Sequence, residues 1–162
     1  MPRKNEVIHQ NYNENIRETW IVSIEHKHRF VYLIITLSVA AIGFGVLQIA
    51  NKAFCTEDLL LAGAFGAWGY TVWLAFETLT CLHNLSLYNG RIIQIKRDYE
   101  FRGKSLDRKK LIRYQEKHKK TDKGVTVNLS NIKLYFLAGV AFCVIWLMAV
   151  KLQFSLIDSI KI

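Results

Sequence analysis

The stretch from Phe30 to Ala50 runs for 21 residues without one charged side chain, and it constrains the chain more than any other feature. A helix needs about 20 apolar residues to cross the ~30 Å hydrocarbon core of a bilayer. A second apolar run extends from Leu59 to about Leu79, broken only by Glu77 near its end. A third, of 17 residues, extends from Leu134 to Val150 between Lys133 and Lys151, whose long side chains can snorkel toward opposite interfaces. The rest of the 162 residues offers no soluble core that would bury these runs. The expected fold class is an all-α membrane protein with three transmembrane helices, near 30–50, 59–79 and 134–150. Because 29 residues precede the first run, it reads as a retained anchor and not as a signal peptide. Pro2 and the terminal Ile-Lys-Ile lead us to expect neither myristoylation nor prenylation.

Charge then sets the orientation. Arg3, Lys4, Arg17, Lys27 and Arg29 precede the first run, and Lys52 alone lies between the first and second. Residues 84–132 carry thirteen Lys and Arg against five acidic residues. Lys and Arg close to the spans stay on the cytoplasmic side. The expectation is a multi-pass protein of the cytoplasmic (inner) membrane, with the N-terminus inside and the C-terminus outside. Most of the net charge of +9 is thereby explained by topology. Basic segments also attract anionic headgroups at ~1 kcal/mol per residue, so the lipid bilayer itself is an expected partner.

The chain divides accordingly into a cytoplasmic segment (1–29), a transmembrane hairpin (30–83), a basic cytoplasmic segment (84–132) and a third span with a short external tail (133–162). Within 14–29, Ile16, Trp20 and Ile24 recur at intervals of four, which predicts an amphipathic helix leading into the first span. Residues 80–101 hold no proline and keep a stripe of Leu85, Tyr88, Ile92, Ile95 and Tyr99, so the second span should continue as one helix to Gly103. Ser105 or Asp107 should cap another helix to about Lys120, completing a basic helical hairpin. Thr121-Asp122-Lys123-Gly124 reads as a turn, and the alternation over 125–129 as a short extended piece. Ser130 or Asn131 would then cap the third span. About 78 cytoplasmic residues in two pieces are too few for an independent catalytic domain, and no enzymatic activity is expected.

Candidate functional residues follow from helical geometry. At 100° per residue, Ala62, Gly66, Trp73, Glu77, Thr80 and Asn84 fall within an arc of about 60°, with Ala64, Ala67, Leu74, Ala75, Leu79 and Leu82 mainly on the other side. Small residues let helices approach closely in lipid, so Ala62 and Gly66 mark a packing face. A carboxylate within a span is a functional candidate by default, which singles out Glu77 with Thr80 and Asn84 as a polar path or helix contact. The ordinary explanation for Glu77 is headgroup-level pairing with a basic residue. The first span has two small faces, one with Thr36, Ala40 and Gly43, the other with Ser38, Ala41, Gly45 and Gln48. Two such faces favour a homo-oligomer, one packing within the chain and the other against a neighbour.

The basic segment, with Arg108, Lys109, Lys110, Arg113 and His118, is a candidate surface for an unidentified cytoplasmic partner. Arg113 and His118 resemble the Arg-x4-His motif of the nucleases called HEPN, a resemblance that implies RNA cleavage by that pair across a dimer. The framing bundle of that family is missing here, and a segment so rich in Lys and Arg produces the spacing by chance. The histidine and cysteine spacings suggest no metal site, no phosphate or dinucleotide loop is present, and no cofactor is expected. Cys55, Cys81 and Cys143 fall at outer, inner and middle depths, so no disulfide is expected.

By architecture, the chain resembles the small multi-span membrane effectors and exclusion proteins of bacterial and phage conflict systems. That resemblance rests on the three spans and the short basic part, not on a motif. It implies an antiviral role exerted by oligomers that form a pore or perturb the inner membrane. The alternative is a membrane-anchored interaction or regulatory module whose basic segment binds a protein, nucleotide or RNA.

Overall fold

A computed structural model describes residues 4–50, 55–56, 58–102, 105 and 107–160, with side chains described over 20–50, 55–56, 58–99, 105 and 107–152. The described residues form three α-helices and no strand: α1 (Lys4–Ile49), α2 (Asp58–Arg102) and α3 (Arg108–Ile160). The only proline is Pro2, so no interior position lacks the amide hydrogen that a helix needs. In hydrocarbon a backbone must satisfy its own hydrogen bonds, and a helix does so within one segment.

All three helices are long and apolar enough to cross a membrane, by length and composition. With 46, 45 and 53 residues they run about 69, 68 and 80 Å, roughly twice the ~30 Å that a bilayer core requires. Their apolar halves leave Leu47, Leu134, Leu137 and Met148 more than 60% exposed. So much exposed aliphatic surface is disfavoured in water and ordinary in lipid.

The middle helix organises the bundle, packing along α3 over most of its length and along part of α1. On α2, residues at alternating intervals of three and four, from Leu61 through Trp68 and Ala75 to Leu85, are all buried. On α3 the matching row passes through Val125, Ile132, Gly139 and Trp146. Helices meeting along such rows pack side chains into each other's gaps, as coiled coils do. All three helices meet at one level, where Val31 and Ile34 of α1, Leu74 and Ala75 of α2 and Ile132 of α3 form a cluster flanked by Phe30, Leu79 and Phe136.

The segment between the second and third spans departs from expectation. Residues 121–124 are not a turn, 125–129 are not extended, and neither Ser130 nor Asn131 is a cap; all are interior to α3. The Thr126 hydroxyl donates to the Asp122 carbonyl at 3.1 Å, a bond of helical spacing. Burial of Val125 and Ile132 against the bundle, both at 0% exposure, outweighs the weak local preference of Thr, Asn and Gly for turns. The hairpin therefore consists of the distal halves of α2 and α3, and the third span has no separate start. Likewise the amphipathic segment 14–29 is part of the unbroken α1, not a helix of its own; the side chain of Ile16 lies outside the described residues, as does Gly103. Of the two proposed caps, Asp107 is the one used, its carboxylate accepting the Lys110 backbone N–H at 3.0 Å.

Candidate functional site

The chain packs the apolar face of α2 into its own core and turns the small and polar face outward. Ala64, Leu74, Ala75 and Leu82 are buried and Ala67 and Leu79 half-buried, whereas Ala62, Gly66, Trp73, Glu77 and Thr80 are exposed and Asn84 is half-buried. The Thr80 hydroxyl donates to the Phe76 carbonyl at 3.1 Å, which leaves its oxygen free to accept from outside. Beyond its chain neighbours and the nearby backbone of its own helix, no heavy atom lies within 4 Å of the position that a Cβ would take on Gly66. Among the described residues Glu77 has no ion-pair partner. Lys133, a basic residue flanking the third apolar run, instead lies over the Phe30 ring, 5.4 Å from its centroid.

The two small faces of α1 separate in the same way. Thr36, Ala40 and Gly43 are exposed, with nothing within 4 Å of a Cβ on Gly43. Gly45 belongs to the inner face, where a Cβ would collide with the Phe65 ring and come within 3.4 Å of Leu61. Ser38 on that face is fully buried, and its hydroxyl has no partner among the described residues.

Three aromatic contacts that the sequence reading did not single out lock α3 to α2. The Trp146 indole donates to Asp58 at 3.2 Å. The Trp68 indole lies against the backbone of Gly139. Tyr70 meets Tyr135 edge-on, with ring centroids 4.7 Å apart. A bulky aromatic in one span and a glycine in another was the available signal for the second, although sequence alone does not pair them.

In the distal hairpin Arg108, Lys109, Lys110 and Arg113 are exposed, and Lys110 pairs with Asp107 at 3.0 Å. The Lys110 backbone N–H, then its side chain, hold the Asp107 carboxyl below its usual range. His118 is half-buried, and a five-residue spacing on a straight helix sets it about 140° from Arg113, so the two do not converge within one protomer. Tyr88 of α2 stands 6.4 Å from Tyr114 and 5.8 Å below the Lys117 ammonium. Lys27 reaches Asp122 at 3.8 Å and ties α1 to α3. No group of three His, Cys, Asp or Glu suited to a metal ion occurs among the described residues. The arrangement offers an outward polar strip on α2 and a basic rod beyond it, and no convergent set of catalytic groups among the described residues. Comparison with protein-family models, curated proteins and solved structures finds no match to the chain.

Proposed function

We propose that the protein is a multi-pass membrane protein that self-associates and acts on the bilayer, by forming a pore or by perturbing lipid packing. The supporting observation is the outward placement of Glu77 and Thr80 on α2, on the side that the protomer's own core does not use. A carboxylate facing lipid costs up to ~2.5–3.5 kcal/mol on insertion scales, whereas one facing a second copy or water inside an assembly avoids that cost. Such membrane activity is what an effector in bacterial or phage conflict would need. In this reading the N-terminus and the basic hairpin are cytoplasmic and the C-terminus external, following the Lys and Arg distribution. The test is release of an encapsulated dye from liposomes carrying the purified protein. Leakage that rises more steeply than linearly with protein density supports an assembled pore; intact liposomes at all densities refute it.

A second reading, as a membrane-anchored interaction module, draws support from the unbroken α3. Arg108 lies about 39 Å along the helix from Leu134, where the apolar run begins. That exceeds the ~10 Å over which headgroup charge acts at 0.1 M salt, so the basic tip is not consumed by its own membrane. Capture of a soluble acidic partner by the reconstituted protein, without leakage, would favour this reading.

A further inference from the structure

The outer side of α2 carries a row of its own, with alternating steps of three and four: Gly66, Gly69, Trp73, Phe76 and Thr80, continuing through His83 and Leu87 to Gly90. Every residue of the row is exposed in the protomer. Trp73, Phe76 and Leu87 are 52%, 57% and 54% exposed, while Gly66, Gly69 and Gly90 have no neighbour within 4 Å of a Cβ position. A 3.5-residue period sustained on one face is the pattern of helices that wind around each other in a left-handed coil.

We propose that this row is the contact between copies of the chain, with α2 packed in parallel and in register against α2 of a neighbour. The inference rests on the self-association proposed above and names the surface responsible. Three observations select a second copy as the occupant. The row does not stop where the apolar run stops: Leu87 lies about 12 Å beyond Leu79, where lipid chains cannot cover it. The row is also complementary to itself. Side chains on a helix lean toward its N-terminus, so the Trp73 ring of one copy falls near the level of its neighbour's Gly69, where bare backbone leaves room. Finally, copies inserted in one orientation, as the Lys and Arg distribution implies, bring α2 against α2 in parallel. Leu59, Ala62 and Gln94, also exposed, continue the same steps, so from Leu59 to Gln94 the strip is about 53 Å long and one helix wide, roughly 1,100 Å² over two copies, close to the ~1,200 Å² at which specific association begins.

The test uses the full chain in native membranes, with Cys55, Cys81 and Cys143 each replaced by Ser. A single cysteine is then placed at Leu87→Cys on the row, or at Ile112→Cys on exposed α3, and oxidised mildly. A disulfide needs Cα atoms about 4.4–6.8 Å apart, so a residue bonds to its own counterpart only near an in-register contact. The expected result is that Leu87→Cys shifts to the mass of two chains and Ile112→Cys does not. The native mass of the wild-type protein in nanodiscs is measured alongside. An assembly in which Leu87→Cys stays uncrosslinked, or reacts no more than Ile112→Cys, overturns the row and leaves self-association standing. A monomeric wild-type mass overturns both. Gly69→Leu is the second variant: it should lower the oligomer fraction with helicity unchanged, because nothing inside the protomer occupies that space. An unchanged oligomer fraction counts against the row.

Discussion

Trp146 and Asp58 stand 88 positions apart in the chain and are joined by an indole-to-carboxylate hydrogen bond of 3.2 Å. The other Asp58 oxygen accepts the Cys55 backbone N–H at 2.8 Å, so one carboxylate both holds Cys55 ahead of α2 and clasps α3 at the bundle end remote from the basic hairpin. Trp146→Phe keeps most of the buried ring and removes the donor. We expect a loss of roughly 1.5 kcal/mol, the low end for a bond to a charged group, read as a lowered melting temperature in detergent. Asp58→Ala should cost more, since the bond from the Cys55 N–H is lost with the clasp. Equal losses would mean that the Cys55 bond contributes nothing beyond the clasp.

Gly139→Ala is predicted to be destabilising by about 1–3 kcal/mol, because its methyl would enter the space of the Trp68 indole, itself 96% buried (4% exposed). Loss of the native tryptophan emission maximum together with the lower melting point would report that displacement.

Gly124 tests the continuity of α3. In a helix interior with open space at its Cβ position, Gly124→Ala should stabilise by about 0.5–1 kcal/mol, and Gly124→Pro should cost about 3 kcal/mol or more. If residues 121–124 formed a turn in solution, alanine would destabilise instead. Thermal melts with matched circular dichroism decide between the two signs.

Asp107 predicts a weak acid sensitivity. Its carboxyl is held below the ordinary value by the Lys110 N–H and ammonium, so the folded state favours the ionised form. The contribution is present above the unfolded carboxylate pKa of about 3.9 and is lost as pH falls through the lowered folded value. Wild type and Asp107→Asn should therefore differ at neutral pH and converge below about pH 4, with hydrogen exchange over residues 108–112 as the readout.

Glu77→Gln removes charge while keeping shape. Dye flux from liposomes should change severalfold while native mass stays constant, and Glu77→Leu should act more strongly because it also removes hydrogen-bonding capacity. Unchanged flux in both variants would make Glu77 a headgroup-level anchor.

The three apolar runs were legible because a bilayer tolerates little else over such lengths, and Leu85, Tyr88, Ile92 and Ile95 carried α2 onward in plain helical period. The first turn of α3 was legible where its middle was not. Asp107 was recognisable as a cap, since a short carboxylate before a basic stretch has one obvious use. Thr121 to Leu129 contain residues of low helix propensity in an alternating pattern, and that local pattern points away from a helix. The competing signal was the row Leu111, Tyr114, His118, Thr121, Val125, Asn128 and Ile132, spaced three and four apart. It mixes polar with apolar residues, so it becomes visible only once α2 supplies the surface it packs on. Which face of α2 points inward was not decidable in sequence either, because both carry a 3.5-residue row. The larger aliphatic residues, Leu61, Leu74, Leu82 and Leu85, fill the protomer core and leave the glycines outside.

Because α2 runs unbroken from Asp58 to Arg102, it behaves mechanically as a lever. The Val31–Leu74–Ile132 cluster is its natural fulcrum, the level at which all three helices are held together. About 42 Å of helix lie on the hairpin side of Leu74 and about 24 Å on the side of Asp58. For a rigid rod turning about that level, a sideways push at the tip would reach the opposite end reversed in direction and reduced by a little under half. Because α2 is continuous between the two arms, such a turn would also carry Asp58 and its bond to Trp146.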